Sequence, residues 1–294
     1  MNERAGPLAG TGGLVLCGGR SRRMGVDKAG LRFPGGLLLE RVLGRMARVA
    51  EPVVVSLAHG QAPPPLPPAV VAVQDADAER GPLWGLLQGF RALRGRARQV
   101  VVMPVDMPFL TPDWLARLVA ELAGHRACLY RAEGFANALT AAYDLGLLDK
   151  LETLAAADRQ RPLYLAEGEP TRLLEQDDHW RPADGPPPLM DVDTPEAYRA
   201  ALLAEGVGTP GSAAVTLTWE APPGVTVPGE RFLALHAATG GDALAALGAL
   251  CPELVPALAR PASWLLRAAG AGWAPVGPAD PLSEGDRLCV HWEP

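Results

Sequence analysis

The residues best suited to phosphate chemistry in this chain are a few aspartates and a basic, glycine-rich stretch near the start. Asp106 stands in Pro104-Val105-Asp106-Met107-Pro108, directly after the apolar run Val100-Val101-Val102-Met103. The flanking prolines fix the local backbone, so the carboxylate is rigid where a strand ends, and a rigid carboxylate there can hold Mg²⁺ against a phosphate. An Asx turn before the next helix is the structural alternative, but Thr111 and Asp113 already serve that helix start. Metal binding is therefore favoured. Asp191 and Asp193 lie in Met190-Asp191-Val192-Asp193-Thr194-Pro195-Glu196, where Thr194 and Pro195 make an N-cap that does not need both aspartates. Asp75 follows the short run Val70-Val71-Ala72-Val73.

The cations come in Leu14-Val15-Leu16-Cys17-Gly18-Gly19-Arg20-Ser21-Arg22-Arg23-Met24-Gly25-Val26-Asp27-Lys28. A strand end followed by glycines brings bare backbone N–H groups close to anionic oxygens, and Arg and Lys add the charge. The order departs from a Walker loop, which needs Gly-Lys-Ser/Thr, and from a dinucleotide fingerprint, which needs a third Gly near Arg22 or Arg23. Taken alone it reads as a basic surface turn. Arg20, Arg22 and Arg23 share a charge role that spacing does not divide among them.

Strands alternating with helices position these groups. Residues 14–17 read as a buried strand, 37–49 as an amphipathic helix with Leu38, Val42, Arg45 and Val49 at helical spacing, and 53–55 and 70–73 as strands. Pro63 to Pro68 is a stiff extended loop. Gly81-Pro82-Leu83 opens a helix with the apolar stripe Leu83, Leu86, Leu87, Phe90 and Leu93, on which Gly85 and Gly89 permit close approach of either a strand or a flat ligand. A strand over 100–105, a helix over 112–122, strands over 128–130 and 138–143 and a helix over 145–154 follow. This alternation implies an α/β fold with a mostly parallel sheet, whose ligands bind beyond the carboxyl ends of its strands. Arg159, Arg161 and Arg172 are read as solvated loop arginines. Residues 205–212 read as a linker, and beyond them a hairpin, one helix and returning strands form a small α+β unit over 213–294. Its histidines, His236 and His291, read as structural or exposed.

Length and composition set bounds. At 294 residues with 48% hydrophobic and 20% charged, the chain is long enough for two domains with cores. A net charge of −6 argues against a nucleic-acid or membrane-surface binder. Its four cysteines are scattered, without C-x-x-C or a nearby His pair, so neither zinc nor a disulfide framework is indicated. No signal-peptide or membrane-spanning pattern is present, and a cytoplasmic setting is expected.

The stretches Leu16 to Lys28, Gly81-Pro82-Leu83-Trp84-Gly85-Leu86, Pro104 to Leu110 and Asp191 to Glu196 together resemble the molybdenum cofactor guanylyltransferase family, nucleotidyltransferases of Rossmann-like fold. The resemblance covers about residues 13–204, taken as a nucleotidyltransferase domain over 1–204. It implies that Leu16, Cys17, Gly18 and Gly19 contact the nucleotide and that Lys28 binds its phosphates. It also implies Asp75 near the base or ribose, Gly81 at the nucleotide, and Asp106 as a ligand of Mg²⁺, with Arg23, Lys28 and Asp106 serving catalysis. Asp191 and Asp193 match a segment where the family often carries asparagines; as aspartates they either touch the metal or order the loop. The implied reaction joins GMP from GTP to molybdopterin and releases pyrophosphate. Two departures bear on specificity: Ser56-Leu57-Ala58-His59 stands where an Asn often helps read guanine, and Ala136-Asn137-Ala138 replaces a common His-Pro pair.

Residues 213–294, through Asp280 to Val290, resemble the ubiquitin-like β-grasp of the small subunit of molybdopterin synthase. That family ends in Gly-Gly, whereas the printed sequence ends in Trp292-Glu293-Pro294, so docking, oligomerisation or a retained fold without chemistry is expected rather than sulfur carriage. Two other functions stay open: a cytidylyl- or sugar-phosphate nucleotidyltransferase of the same fold, or a cofactor-pathway scaffold acting through the C-terminal domain on biosynthetic or molybdoenzyme partners.

Overall fold

A computed structural model of the chain describes residues 6–18, 23–75, 81–222, 224–259, 263–269 and 272–292. In chain order it begins with β1 (Thr11–Leu16), β2 (Arg32–Phe33), β3 (Gly36–Leu37), α1 (Leu38–Met46), β4 (Val53–Leu57), β5 (Val70–Gln74) and α2 (Pro82–Leu93). It continues with β6 (Gln99–Pro104), α3 (Pro112–Glu121), β7 (Ala127–Ala132), β8 (Phe135–Asp144), α4 (Leu148–Ala156), β9 (Thr171–Glu175) and α5 (Pro195–Ala204). The last elements are β10 (Ala213–Trp219), β11 (Phe232–Ala237), α6 (Gly240–Leu250), α7 (Val255–Leu258), β12 (Ser263–Ala269), β13 (Gly272–Val276) and β14 (Arg287–Trp292). These gather into two compact units, Met1–Arg20 with Leu39–Asp191, and Ser21–Leu38 with Val192–Pro294.

The first unit is built on a seven-stranded sheet in the order β5-β4-β1-β6-β8-β7-β9. Strands β5, β4, β1 and β6 run parallel, β8 is antiparallel to β6 and β7, and β9 is parallel to β7. The chain steps outward from β1 to β4 and β5, then returns to place β6 on the other side of β1. That reversal is a topological switch point, where open α/β sheets bind ligands. Burial of β1 along its whole length explains why it closes on the apolar run Leu14-Val15-Leu16.

Helix α2 covers this part of the sheet, and its stripe Leu83, Leu86, Leu87, Phe90 and Leu93 is buried with Leu14, Leu16 and Val54. The two small residues on α2 serve packing. A Cβ on Gly89 would fall 2.4 Å from both Leu14 methyls, and one on Gly85 would fall 3.1 Å from Ser56 Oγ and 3.2 Å from Leu16 Cδ2.

Several local expectations are corrected. Helix α1 ends at Met46, and Arg45 is not part of its buried face, which is Leu38, Leu39, Val42, Leu43 and Met46. Thr111 takes the N-cap position of α3 but makes no side-chain capping bond. A 3₁₀ turn over Leu145–Leu147 precedes α4, with Asp144 accepting from the Gly146 N–H. Strands β9 and β13 were not anticipated.

The second unit holds a five-stranded sheet in the order β11-β10-β14-β12-β13. Its neighbours are antiparallel except β10 and β14, which run parallel. Alternation along β10 and β14 turns Val215, Leu217, Trp219, Leu288, Val290 and Trp292 into the core with Leu247 and Leu250 of α6. Thr239 and Asp242 form a capping box at the start of α6. Helix α5 packs on β11, and the β2–β3 hairpin belongs to this unit. Residues 205–212, linker-like in composition, form a turn fastened to β11: the Thr209 N–H donates to the His236 carbonyl at 2.8 Å. Among the described residues no single helix is long and apolar enough to cross a membrane.

Candidate active site

At the carboxyl edge of the parallel strands the backbone itself draws the sequence-selected residues together. Past the end of β1, the Cys17 N–H donates to the Ser56 carbonyl at 2.8 Å, and the Val105 N–H donates back to the Leu16 carbonyl at 2.9 Å. Asp106, half-buried, is thereby one residue from a direct bond to the end of β1. The Asp75 N–H donates to the Leu57 carbonyl at 3.0 Å. Gly18 lies against the next loop, where a Cβ would stand 3.3 Å from the Ala58 nitrogen. Thus Leu16, Cys17, Gly18, Asp75 and Asp106 share one sheet edge.

Asp75 carries the clearest electrostatic signal. Its Oδ1 is buried and accepts no hydrogen bond from the described residues, and burial raises the pKa of the carboxyl above the ordinary value. A buried acceptor without a donor is costly, so a ligand hydroxyl or N–H would be welcome there. Nearby, Gly81 adopts φ +71° as N-cap of α2 and offers no side-chain cap, with Pro82 at the first helical position. Backbone N–H groups at such an uncapped helix start suit an anion.

Two fastenings at this edge were missed by the sequence reasoning. Gln61 accepts from the Ala58 N–H at 2.9 Å and donates to the Cys17 carbonyl at 3.3 Å, while Gln74 donates to the carbonyls of Ala58 and Gln61 at 3.0 and 3.1 Å. This lacing orders the loop after β4. The exposed His59 ring joins it, with Nδ1 3.3 Å from the Asp75 carbonyl. On the other side, Arg41 donates to the Pro108 carbonyl at 3.0 Å, and Arg45 donates to the carbonyls of Pro108 and, at 3.2 Å, Leu110. These arginines stand four apart on α1 and hold the loop that follows Asp106; their spacing on the polar face was the only available signal.

Lys28 and Arg23 lie in the second unit. Lys28 opens a one-turn 3₁₀ helix over Lys28–Gly30, whose N-cap Asp27 accepts from the Ala29 N–H at 2.9 Å. Its ammonium is ion-paired with Asp193, the two side chains being 14% and 38% exposed. Arg23 is exposed, as is Asp191 in the first unit. Thr194 accepts from the Ala197 N–H at 3.2 Å, the anticipated cap. Gly19, Arg20 and Arg22, along with Ala76 and Asp77, lie outside the described residues.

Among the described residues no three His, Cys, Asp or Glu side chains gather as a metal-holding group. A half-buried strand-end carboxylate fits a different mode, in which Mg²⁺ keeps several waters and takes one or two protein carboxylates plus substrate phosphates. Burial pushes the Cys128 and Cys251 thiols up to about 12, which makes them poor nucleophiles at neutral pH. Arg159 stacks 3.8 Å from the Tyr164 ring centre and Arg172 stands 3.4 Å from Glu121, both structural uses. His236 has its Nδ1 2.8 Å from the Ser212 carbonyl, also a structural use.

Residues 13–171 match the family described as the MobA-like NTP transferase domain. A probable molybdenum cofactor guanylyltransferase of Mycobacterium ulcerans is 36% identical over 199 residues, covering 66% of this chain and 94% of that protein. One so named from Mycobacterium tuberculosis is 38% identical over 176 residues, covering 57% and 84%. In fold, the crystal structure of molybdopterin-guanine dinucleotide biosynthesis protein A from Archaeoglobus fulgidus matches with a TM-score of 0.54 at 21% identity, covering 66% of this chain and 98% of that one. The chain therefore belongs to the MobA-like NTP transferase family, and it is a nucleotidyltransferase.

Proposed function

We propose that the protein is a molybdenum cofactor guanylyltransferase, transferring GMP from GTP to molybdopterin with release of pyrophosphate. The observation that carries this reading is the meeting of Leu16–Gly18, the orphaned Asp75 carboxylate and Asp106 at one switch-point edge, in a chain 36% identical to proteins named for that activity. In this reading the backbone after β1 receives the nucleotide, Gly19 included, Asp75 accepts from base or ribose, and the start of α2 at Gly81 meets anionic oxygen. Lys28 takes phosphate charge, with Arg23 adding to it. Asp106 would hold Mg²⁺, with Asp191 and Asp193 the further candidates; when bound, the ion neutralises phosphate charge. A phosphate oxygen of molybdopterin attacks the α-phosphorus of GTP and the bond to the β-phosphate oxygen breaks, so pyrophosphate leaves. No nucleophilic side chain is required, since positioning and charge neutralisation suffice for phosphoryl chemistry.

The C-terminal strand order, with parallel β10 and β14 at its centre and α6 following the first hairpin, supports a β-grasp reading of residues 213–294. The catalytic domain is placed at 1–204 in sequence, and a cytoplasmic site of action fits a biosynthetic enzyme. The test is incubation with GTP, Mg²⁺ and molybdopterin, with chromatographic detection of the dinucleotide. Product from the wild type and its loss by Asp106→Ala are expected; an active Asp106→Ala protein, or product from CTP in preference to GTP, refutes the assignment.

A further inference from the structure

The turn that carries Lys28 has short-range bonds of its own: beside the Asp27 cap, the Gly30 N–H donates to the Asp27 carbonyl at 3.2 Å and the Leu31 N–H to the Lys28 carbonyl at 3.1 Å. A single 3₁₀ turn has few internal hydrogen bonds, and a lysine on it has many rotamers to lose before it can meet a phosphate in one place. Further support comes from about two hundred residues along the chain. The Asp27 N–H donates to Glu230 Oε1 at 3.3 Å, and the Glu230 N–H donates to the Gly30 carbonyl at 2.7 Å. Glu230 thus grips the turn at both ends through the backbone of Asp27 and Gly30.

Two further features keep that grip in register. Gly229 has φ +82°, and a Cβ there would fall 2.5 Å from both the Gly30 carbonyl oxygen and Leu37 Cδ2, so the close approach requires glycine. Just beyond the turn, Arg32 is 3% exposed and donates to the Pro228 carbonyl at 2.6 Å and the Leu250 carbonyl at 3.3 Å, while pairing with Glu253. Tyr198 closes the set by donating from its hydroxyl to the Arg32 carbonyl at 2.5 Å.

We propose that Glu230, seated by Gly229, is a positioning residue for nucleotide binding: it clamps the Asp27–Gly30 turn and so fixes where Lys28 presents its charge. This gives the C-terminal residues a part in the reaction and rests on the assignment of Lys28 as a phosphate ligand. The test reads full-length wild type, Glu230→Ala, Glu230→Gln and Gly229→Ala for amide hydrogen exchange over 27–31, for GTP affinity with Mg²⁺ by calorimetry, and for KM and kcat. Glu230→Ala, which removes one acceptor, should speed exchange of these amides about five- to tenfold and raise the Kd and KM for GTP several-fold with kcat little changed. Glu230→Gln keeps the oxygen acceptor and should restore both. Gly229→Ala, an independent route to the same displacement, should repeat the pattern and serves if Glu230→Ala fails to fold. Unchanged exchange, or faster exchange with unchanged GTP affinity, overturns the proposal. A wild type that binds GTP yet makes no dinucleotide overturns the proposed reaction instead, and exchange together with affinity still decides the clamp.

Discussion

Replacing Asp193 by asparagine separates its two possible uses by the sign of one measurement. Asp193 is ion-paired with Lys28, and side-chain exposures of 14% for Lys28 and 38% for Asp193 place the pair between surface and interior. Partly exposed pairs contribute on the order of 1 kcal/mol, most of it electrostatic. Asparagine keeps an oxygen that the ammonium can bond but removes the negative charge that an incoming triphosphate must outcompete. If Lys28 is the phosphate ligand, Asp193→Asn should tighten GTP binding by about fivefold, the equivalent of that 1 kcal/mol. The gain should shrink as salt is raised, because it is an electrostatic term at a partly solvated site. Calorimetric titration with GTP at two ionic strengths reads both effects. A metal-ligand role predicts the opposite: weaker binding, with the loss confined to solutions containing Mg²⁺. Tighter binding that ignores salt, or weaker binding of any kind, would refute the reasoning.

Other substitutions test the packing and electrostatics. Gly89→Ala sets a methyl 2.4 Å from both Leu14 methyls, and overpacking of about 3 kcal/mol less about 1 kcal/mol of helix propensity should leave it about 2 kcal/mol less stable in urea unfolding. In a Leu14→Ala background the same change should cost much less, a coupling that a double-mutant cycle measures. Asp75 has its pKa raised by burial, so its contribution to stability is fully present below the unfolded pKa and is lost as pH rises through the folded one. Asp75→Asn should therefore melt higher than the wild type near neutral pH, with the gap closing in acid; a constant gap across the series would contradict the sign. Glu253→Ala leaves the buried Arg32 guanidinium without its counter-charge and should cost about 3 kcal/mol, read from thermal unfolding, where a loss below about 1 kcal/mol would show the pair to be dispensable.

How much of this was readable beforehand depends on what sets each element. Strands β1, β4 and β6 are legible because parallel strands covered on both faces must be continuous apolar runs. Helix α2 is legible from its 3.6-residue stripe. Strand β9 is not: Thr171-Arg172-Leu173-Leu174-Glu175 has no clear alternation and is specified by its pairing with β7. Strand β13 contains Pro275, which argues against a strand, yet β13 is an edge, where a missing N–H is tolerated. At the site, Asp75 and Asp106 could be selected because topology fixes where strand ends lie. Gln61, Gln74, Arg41 and Arg45 could not, since each acts through a carbonyl distant in sequence and polar residues give no periodic signal for such bonds. The grouping of residues 21–38 with the C-terminal sheet was likewise invisible, because Glu230 and Glu253 declare it only through contacts.

That grouping also bears on inheritance. The family match covers residues 13–171, and the Mycobacterium ulcerans relative is matched by 66% of this chain, so a third of the chain lies outside that match. Gly229 and Glu253 are shaped to Gly30 and Arg32, which lie far earlier in the chain. The extra module is therefore not a detachable cassette. Supplied as two separate polypeptides, 1–212 and 213–294 should find each other through the surface that Arg32 buries, and a split version of this protein would behave as a heterodimer rather than as two independent domains.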